Sequence, residues 1–181
     1  MNAQVRDGVS TLADLSGCRR FGVKGKGVIA WLESLGLQQL PQPNRLRRDE
    51  HGLLIARHGE FDFMFLAPGP AAEPALQRLR DDLEQTGPEG CYSVPVEDSL
   101  AVFGMPAAAA REALSTLCPV DLRLPAFPVG AIVQTLSAGA AVRLWHVPGG
   151  VSSEVLVLCD ASLAHHQWAA LHRGIRSLDE A

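Results

Sequence analysis

The sequence predicts an α+β fold made of two similar lobes with mainly antiparallel sheets. Three observations lead there. The β- and α-like segments run β-α-β-β-α-β over residues 1–97 and β-α-β-β-β-α over residues 98–181, leaving few connections for the helical crossovers that parallel sheets need. A strand-glycine-helix element occurs twice: "FGVKGKGVIAWLESL" lies over "LAVFGMPAAAAREAL" at an offset of 79, matching Val23 with Val102, Gly25 with Gly104, Glu33 with Glu112 and Leu35 with Leu114. Finally, 47% apolar and 20% charged residues in 181 can furnish a real core, so the two lobes are expected to form one compact unit.

Taken in order, Phe21 and Val23 alternate with smaller or polar residues and predict a strand over 18–24. The helix that follows, about 27–36, carries Val28, Trp31, Leu32 and Leu35 at helical spacing and stops at Gly36. After "LPQPN", the stretch "LLIARHGEFDFMFLAP" predicts two strands joined by a tight turn at His58, Gly59 and Glu60. Phe61, Phe63 and Phe65 point one way from the second of these, and Met64 and Leu66 share the other side with Asp62. Such a strand is either buried on both faces or an apolar surface awaiting a partner.

Leu76, Leu79 and Leu83 form the stripe of a surface helix ending at Gly87. Strands are expected at about 91–96 and 99–103, then an Ala-rich helix with Pro106 in its first turn. Three β-like runs, "AIVQTLSAG", "AAVRLWHVP" and "VSSEVLVLCD", precede a last helix over about 161–176. Ala164, Trp168, Leu171 and Ile175 are its stripe, and Asp160 its N-cap.

Composition narrows function. With 16 basic and 20 acidic residues the net charge is -4, which argues against a nucleic-acid partner. The opening "MNAQVRDGVSTLADL" lacks a secretory pattern, and no run approaches the roughly 20 apolar residues that span a bilayer, so a cytoplasmic protein off the membrane is expected. Cys18, Cys91, Cys118 and Cys159 are scattered singly, as buried free thiols are.

The glycine turn has to be tested as a nucleotide loop. "GKGVIA", residues 25–30, fits G-x-G-x-x-A, follows a strand and opens a helix, with Asp49 and Glu50 at a suitable distance. Those acids, however, sit in the turn "RRDEHG" ahead of a strand, not at the end of a second parallel strand. A phosphate loop fails outright, since Val28 and Ile29 stand where lysine and a hydroxyl belong. The second copy has Met105 and Pro106 in its turn, so the shared glycine is read as a bend that needs positive φ. His165, His166 and His172 lack the spacing of paired metal ligands. Glu97 and Asp98 are assigned to capping and turn formation, since neighbouring strand residues point to opposite faces. "EGCYS" shares too little of the K-G-C-Y-x-G-Q-E stretch of the folate-dependent iron-sulfur maintenance proteins to count. No catalytic, cofactor-binding or metal-binding residue is assigned.

"DLSGCRRFGVKGKG", "PQPN", "VEDSLAVFGMPAAAAREAL" and above all "DLRLPAFPVGAIVQT" resemble the gamma subunit of heterotetrameric sarcosine oxidase. In the last, Asp121, Leu122, Phe127, Pro128, Gly130 and Thr135 stand at the family's D-L-x4-F-P-x-G-x4-T spacing. The doubled element is similar to one shared with the glycine cleavage T protein. The resemblance implies an aminomethyltransferase-like, folate-binding-superfamily fold. It also implies a non-catalytic accessory role in a complex that demethylates sarcosine or a related N-methyl amine oxidatively. FAD, FMN, NAD and tetrahydrofolate would belong to partner subunits, alpha, beta and a small delta, none bound by this chain. "HGEFDF", Gln134 and "CDASLAHHQW" depart from the family's pattern and fit a divergent member acting on another amine. The alternative is a stand-alone folate-binding or aminomethyltransferase-like protein.

Overall fold

The computed structural model describes residues 12–149 and 154–179, the last four by backbone alone. Along the chain run β1 (Ala13–Asp14), β2 (Arg20–Lys24), α1 (Val28–Ser34), β3 (Arg45–Arg48), β4 (Leu54–Gly59), β5 (Asp62–Leu66), α2 (Glu73–Thr86), β6 (Tyr92–Val94) and α3 (Val96–Ser99). They continue with β7 (Leu100–Met105), α4 (Ala107–Ser115), β8 (Ile132–Ser137), β9 (Ala140–His146), β10 (Val155–Asp160) and α5 (Ala164–Asp179). Cys18–Asp98 form one compact unit, and the described residues on either side of that stretch form a second.

In the first unit the sheet order is β3-β4-β5-β2-β6, every neighbour antiparallel. Phe21, Val23, Ile55, Phe63 and Phe65 share one core with Val28, Trp31 and Leu32 of α1 and Leu76, Leu79 and Leu83 of α2. The helices seat there because their apolar stripes recur every three or four residues and find the flat apolar side of the pleat. The Trp31 indole, buried in that core, satisfies its one donor by giving Nε1–H to Asp82 at 2.7 Å. Gly87 ends α2 in the left-handed region at φ 53, its N–H donating to the Leu83 carbonyl. Both faces of β5 are buried: Phe63, Met64, Phe65 and Leu66 are each at most 1% exposed. The reading of that strand as an open surface therefore falls.

The second unit repeats the plan with order β1-β7-β10-β9-β8, again antiparallel throughout. Its core joins Phe103, Met105, Val142, Leu144, Val155 and Val157 to Ala110 and Leu114 of α4 and Leu171 of α5. Trp168 meets Phe103 edge to face at 5.4 Å between ring centres. The Asp160 carboxylate accepts the Ser162 N–H at 2.9 Å and opens the short 3-10 turn Ala161–Leu163 that leads into α5, as the sequence expects.

Comparing the sheets exposes a rule the sequence order conceals. β2-α1-β3-β4-β5-α2 and β7-α4-β8-β9-β10-α5 are equivalent, but the strand before each belongs to the other sheet: β1 precedes β2 yet pairs with β7, and β6 precedes β7 yet pairs with β2. Residues 12–17, assigned from sequence to the lobe 1–97, thus lie with the unit that follows Asp98.

Three further details differ from the sequence reading. β3, "RLRR", is an edge strand with one buried residue, Leu46, so no alternation announced it. The expected run of strand after residue 91 breaks at Pro95 into the single helical turn α3 before β7 starts. Pro106 is the N-cap of α4, at φ -60 and ψ 148, rather than a first-turn residue. The Ala-rich helix is also spoken for within its own unit: a Cβ placed on Gly174 of α5 would lie 3.0 Å from the Ala113 carbonyl oxygen and 3.1 Å from its Cβ. Small residues on both helices permit that approach. Gly174→Leu is accordingly expected to destabilise by about 1–3 kcal/mol through overpacking, measured by urea unfolding against wild type.

Candidate functional site

The glycine turn is filled by the protein's own backbone. Gly25 sits at φ 126, and a Cβ there would fall 2.0 Å from the Gly90 carbonyl oxygen; on Gly27 it would fall 1.9 Å from that of Glu89. The Gly25 N–H donates to the Phe61 carbonyl at 2.9 Å and the Gly27 N–H to the Gly90 carbonyl at 3.2 Å. Two inward carbonyls occupy the ground a pyrophosphate would need, and their dipoles carry the wrong sign for it. The nucleotide reading is excluded here by occupancy. Its proposed twin does not hold as a bend, however. Gly104 lies inside β7, opposite Leu156 and Ala13, and Pro106 makes that turn.

At the opposite end of β2 from this turn is a buried guanidinium. Arg20, 1% exposed, donates from Nε to the Val96 carbonyl at 2.8 Å, from Nη1 to that of Cys18 at 2.9 Å and from Nη2 to that of Glu97 at 2.6 Å. Arg80 Nη2 in turn donates to the Arg20 carbonyl at 3.0 Å and to Glu97 Oε2 at 2.7 Å, with Arg19 Nε 3.7 Å from Glu97 Oε1. Burial works to raise the pKa of Glu97, but the hydrogen bond and charge of Arg80, helped by Arg19, hold it below the ordinary carboxylate value. A carboxylate fixed as an anion between two guanidinia is a poor proton acceptor near neutrality. Glu97 and Asp98 form the first turn of α3, in keeping with a structural role.

The histidines of α5 and the cysteines are spread apart. His166 meets the Ala138 carbonyl at 2.9 Å while His165 is exposed and His172 half-buried. Among the described residues, no three His, Cys, Asp or Glu side chains converge on a point that could hold a metal. Cys118 and Cys159 are buried, and Cys18 and Cys91 half-buried. Burial pushes the Cys91 and Cys159 thiols up, away from a reactive thiolate. A cleft of about 710 Å³ opens between the turn after α1, β3 and α2, and three of its four acids hold donors of their own surroundings. Asp49 accepts the His51 and Leu53 N–H groups, Asp81 the Gln77 amide, and Asp82 the Trp31 indole.

The stretch that carries the family resemblance is a loop clamp. Asp121 caps its own loop by accepting from Arg123 N–H and guanidinium, which hold its pKa at about 2. Leu122 and Phe127 enter the core, and Phe127 stacks on buried His146, whose Nδ1 lies 2.9 Å from the Phe127 carbonyl. Pro128 to Ala131 closes a turn with Gly130 at φ 82, and Thr135 on β8 comes within 4.0 Å of the Cys118 sulfur.

Among the described residues the edge strands differ in how they are protected. β1 is two residues long, β6 is three, and β3 carries three arginines, all common ways of protecting an edge. β8, "IVQTLS", is six residues long, with no charge, no proline and no register shift in its pairing with β9. Leu136 on it is 53% exposed, and Leu124 and Val129 in the loop before it are 57% and 54% exposed. The absence of charge was readable in "AIVQTLSAG", but only the topology makes that strand an edge.

Two α/β repeats with antiparallel sheets and exchanged opening strands define an aminomethyltransferase-like α+β fold. No family model matches the sequence, and no curated protein is significantly similar to it. Among solved structures, it is similar to a chain of the heterotetrameric sarcosine oxidase from Corynebacterium sp. U-96 in complex with pyrrole 2-carboxylate. That match has a TM-score of 0.75 and 23% identity, over 93% of this chain and 84% of that one. It is also similar to the glycine cleavage system aminomethyltransferase T from Bartonella henselae, with a TM-score of 0.59 and 14% identity, over 90% of this chain but 45% of that one. The chain thus has the fold of a sarcosine oxidase subunit and spans about half of an aminomethyltransferase.

Two outcomes test this site description. Gly27→Ala, at φ -79 with no backbone strain of its own, is expected to cost about 1–3 kcal/mol by collision with Glu89, whereas Gly17→Ala, with open space around it, stays within about 0.5 kcal/mol. For Glu97 the sign follows from its lowered folded pKa: its contribution is fully present above the unfolded value and is lost as pH falls through the folded one. Melting curves should therefore show wild type above Glu97→Gln near neutrality and the gap closing as pH drops below about 4.

Proposed function

We propose that this chain is an accessory, non-catalytic gamma-type subunit of a sarcosine oxidase-like flavoenzyme complex. Such a complex would oxidatively demethylate sarcosine or a related N-methyl amine in the cytoplasm and feed one-carbon units to tetrahydrofolate. Coverage supports the reading: the match takes in 93% of this chain and 84% of a chain from a heterotetrameric sarcosine oxidase, so the shared fold extends over most of both. In this reading FAD, FMN, NAD and tetrahydrofolate sit on the partner subunits, alpha, beta and a small delta.

The second reading, a stand-alone folate-binding or aminomethyltransferase-like protein, draws on the match to aminomethyltransferase T. Only 45% of that chain is covered, against 84% of the sarcosine oxidase chain. Two measurements separate them. Affinity-tagged chain co-expressed with flavoprotein subunits encoded beside it is expected to purify with them at fixed stoichiometry, and the isolated chain to show no saturable tetrahydrofolate binding by titration calorimetry. Recovery of the chain alone, with folate binding on the order of micromolar, would reverse the choice.

A further inference from the structure

The cleft of about 710 Å³ in the first unit holds guanidinium donors that no acceptor meets. Its floor is aliphatic, formed by Leu53, Ile55 and Leu79, and its size is that of a small-molecule site. Arg47 of β3 lines one wall, half-buried, and its guanidinium makes one hydrogen bond among the described residues, from Nη2 to the Gln38 carbonyl at 3.2 Å. Its Nε is shut off from solvent with no acceptor among those residues. A charged group's donor is seldom left so, because its desolvation is then uncompensated. Arg78 of α2 lines the same cleft and makes no hydrogen bond or ion pair with any described residue.

The carboxylates there are in the opposite condition. Asp49, Asp81 and Asp82 accept the donors named above, and Glu50 stands 3.6 Å from His51 Nε2. What the cleft lacks is an acceptor for its two guanidinia. We propose that it binds an aliphatic carboxylate. The carboxylate group accepts from Arg47 and Arg78, the Arg47 guanidinium turning its Nε edge toward it, and the aliphatic body lies over Leu53, Ile55 and Leu79. Counting formal charges alone favours a cation, since four carboxylates line the cleft against two guanidinia. An ammonium group would leave both guanidinia as they are, however, and would compete for carboxylates that already hold donors.

The test titrates the full-length chain, isotopically labelled for backbone and side-chain N–H spectroscopy, with isocaproate, and with isoamylamine and isohexanol as its cationic and neutral counterparts. Isocaproate should give saturable shifts at the Arg47 Nε–H signal and the Leu53 and Leu79 amides, with a Kd on the order of millimolar or below, and both counterparts should bind at least ~10-fold more weakly. Arg78→Gln changes an exposed side chain without a partner, so its melting temperature is expected to hold while affinity for isocaproate falls at least ~5-fold. Arg47→Lys keeps the charge but removes the Nε donor and should lose at least as much; where it also lowers the melting temperature by releasing the Gln38 turn, Arg78→Gln decides alone. No saturable shift up to ~50 mM isocaproate, equal affinity for isohexanol, or unchanged affinity in Arg78→Gln would overturn the proposal. Tighter binding of isoamylamine would assign the cleft to a cation and overturn it as well. None of these results bears on the subunit reading, which partner capture tests separately.

Discussion

The close approach of residues 89–97 to residues 20–27 is the contact on which the first unit depends. β6 pairs with β2 through Gly22, Val23 and Lys24, at a place where a Cβ on Gly22 would lie 2.9 Å from Val96 and 3.0 Å from Val94. Just beyond, Gly25 and Gly27 admit the carbonyls of Gly90 and Glu89, and the buried Arg20 guanidinium gathers the carbonyls of Val96 and Glu97. Gly22, Gly25, Gly27 and Arg20 therefore act together to receive one returning strand. Their glycines serve proximity, since a side chain at any of those positions would hold the backbones apart. The guanidinium then compensates carbonyls that would otherwise be buried without donors.

The returning strand is half of an exchange. Each repeat opens with a strand that completes the sheet of the other repeat, so neither repeat taken as a continuous segment would own a full sheet. The same economy runs through the polar side chains. Asp82 receives a buried indole, Asp49 and Asp160 order turns, Glu97 is locked by arginines, and the Asp121 loop and His146 hold the segment that leads to β8. Each of these groups holds a backbone segment or a neighbouring side chain in place.

Much of this was legible in the sequence, in proportion to how local its cause is. The stripes of α1, α2 and α5, the glycine stops and the Asp160 cap depend on near neighbours and stand as read. The hairpin forms with its turn at Glu60 and Phe61, His58 and Gly59 belonging to β4. β1 and β3 were not legible, because two residues, or three arginines around one leucine, become strand only by pairing with something distant. The doubling of Gly25 at Gly104 misled for a related reason. The offset of strand and helix is real, but one glycine bends the chain while the other lies in a strand, and only neighbours 60 residues away decide which. The apolar strand β5, read as either buried on both faces or open to a partner, is buried on both. The resemblance motif was legible as a pattern; that Asp121 orders its loop while Leu122 and Phe127 enter the core was not.

The central claim is that this chain completes an assembly without holding its cofactors. Native mass spectrometry of the co-expressed complex addresses it most directly, by ejecting subunits one at a time and weighing what leaves with each. The account expects one copy of this chain per complex, departing at its bare polypeptide mass while every flavin stays with the remainder. Departure of this chain with a bound flavin or folate would contradict it.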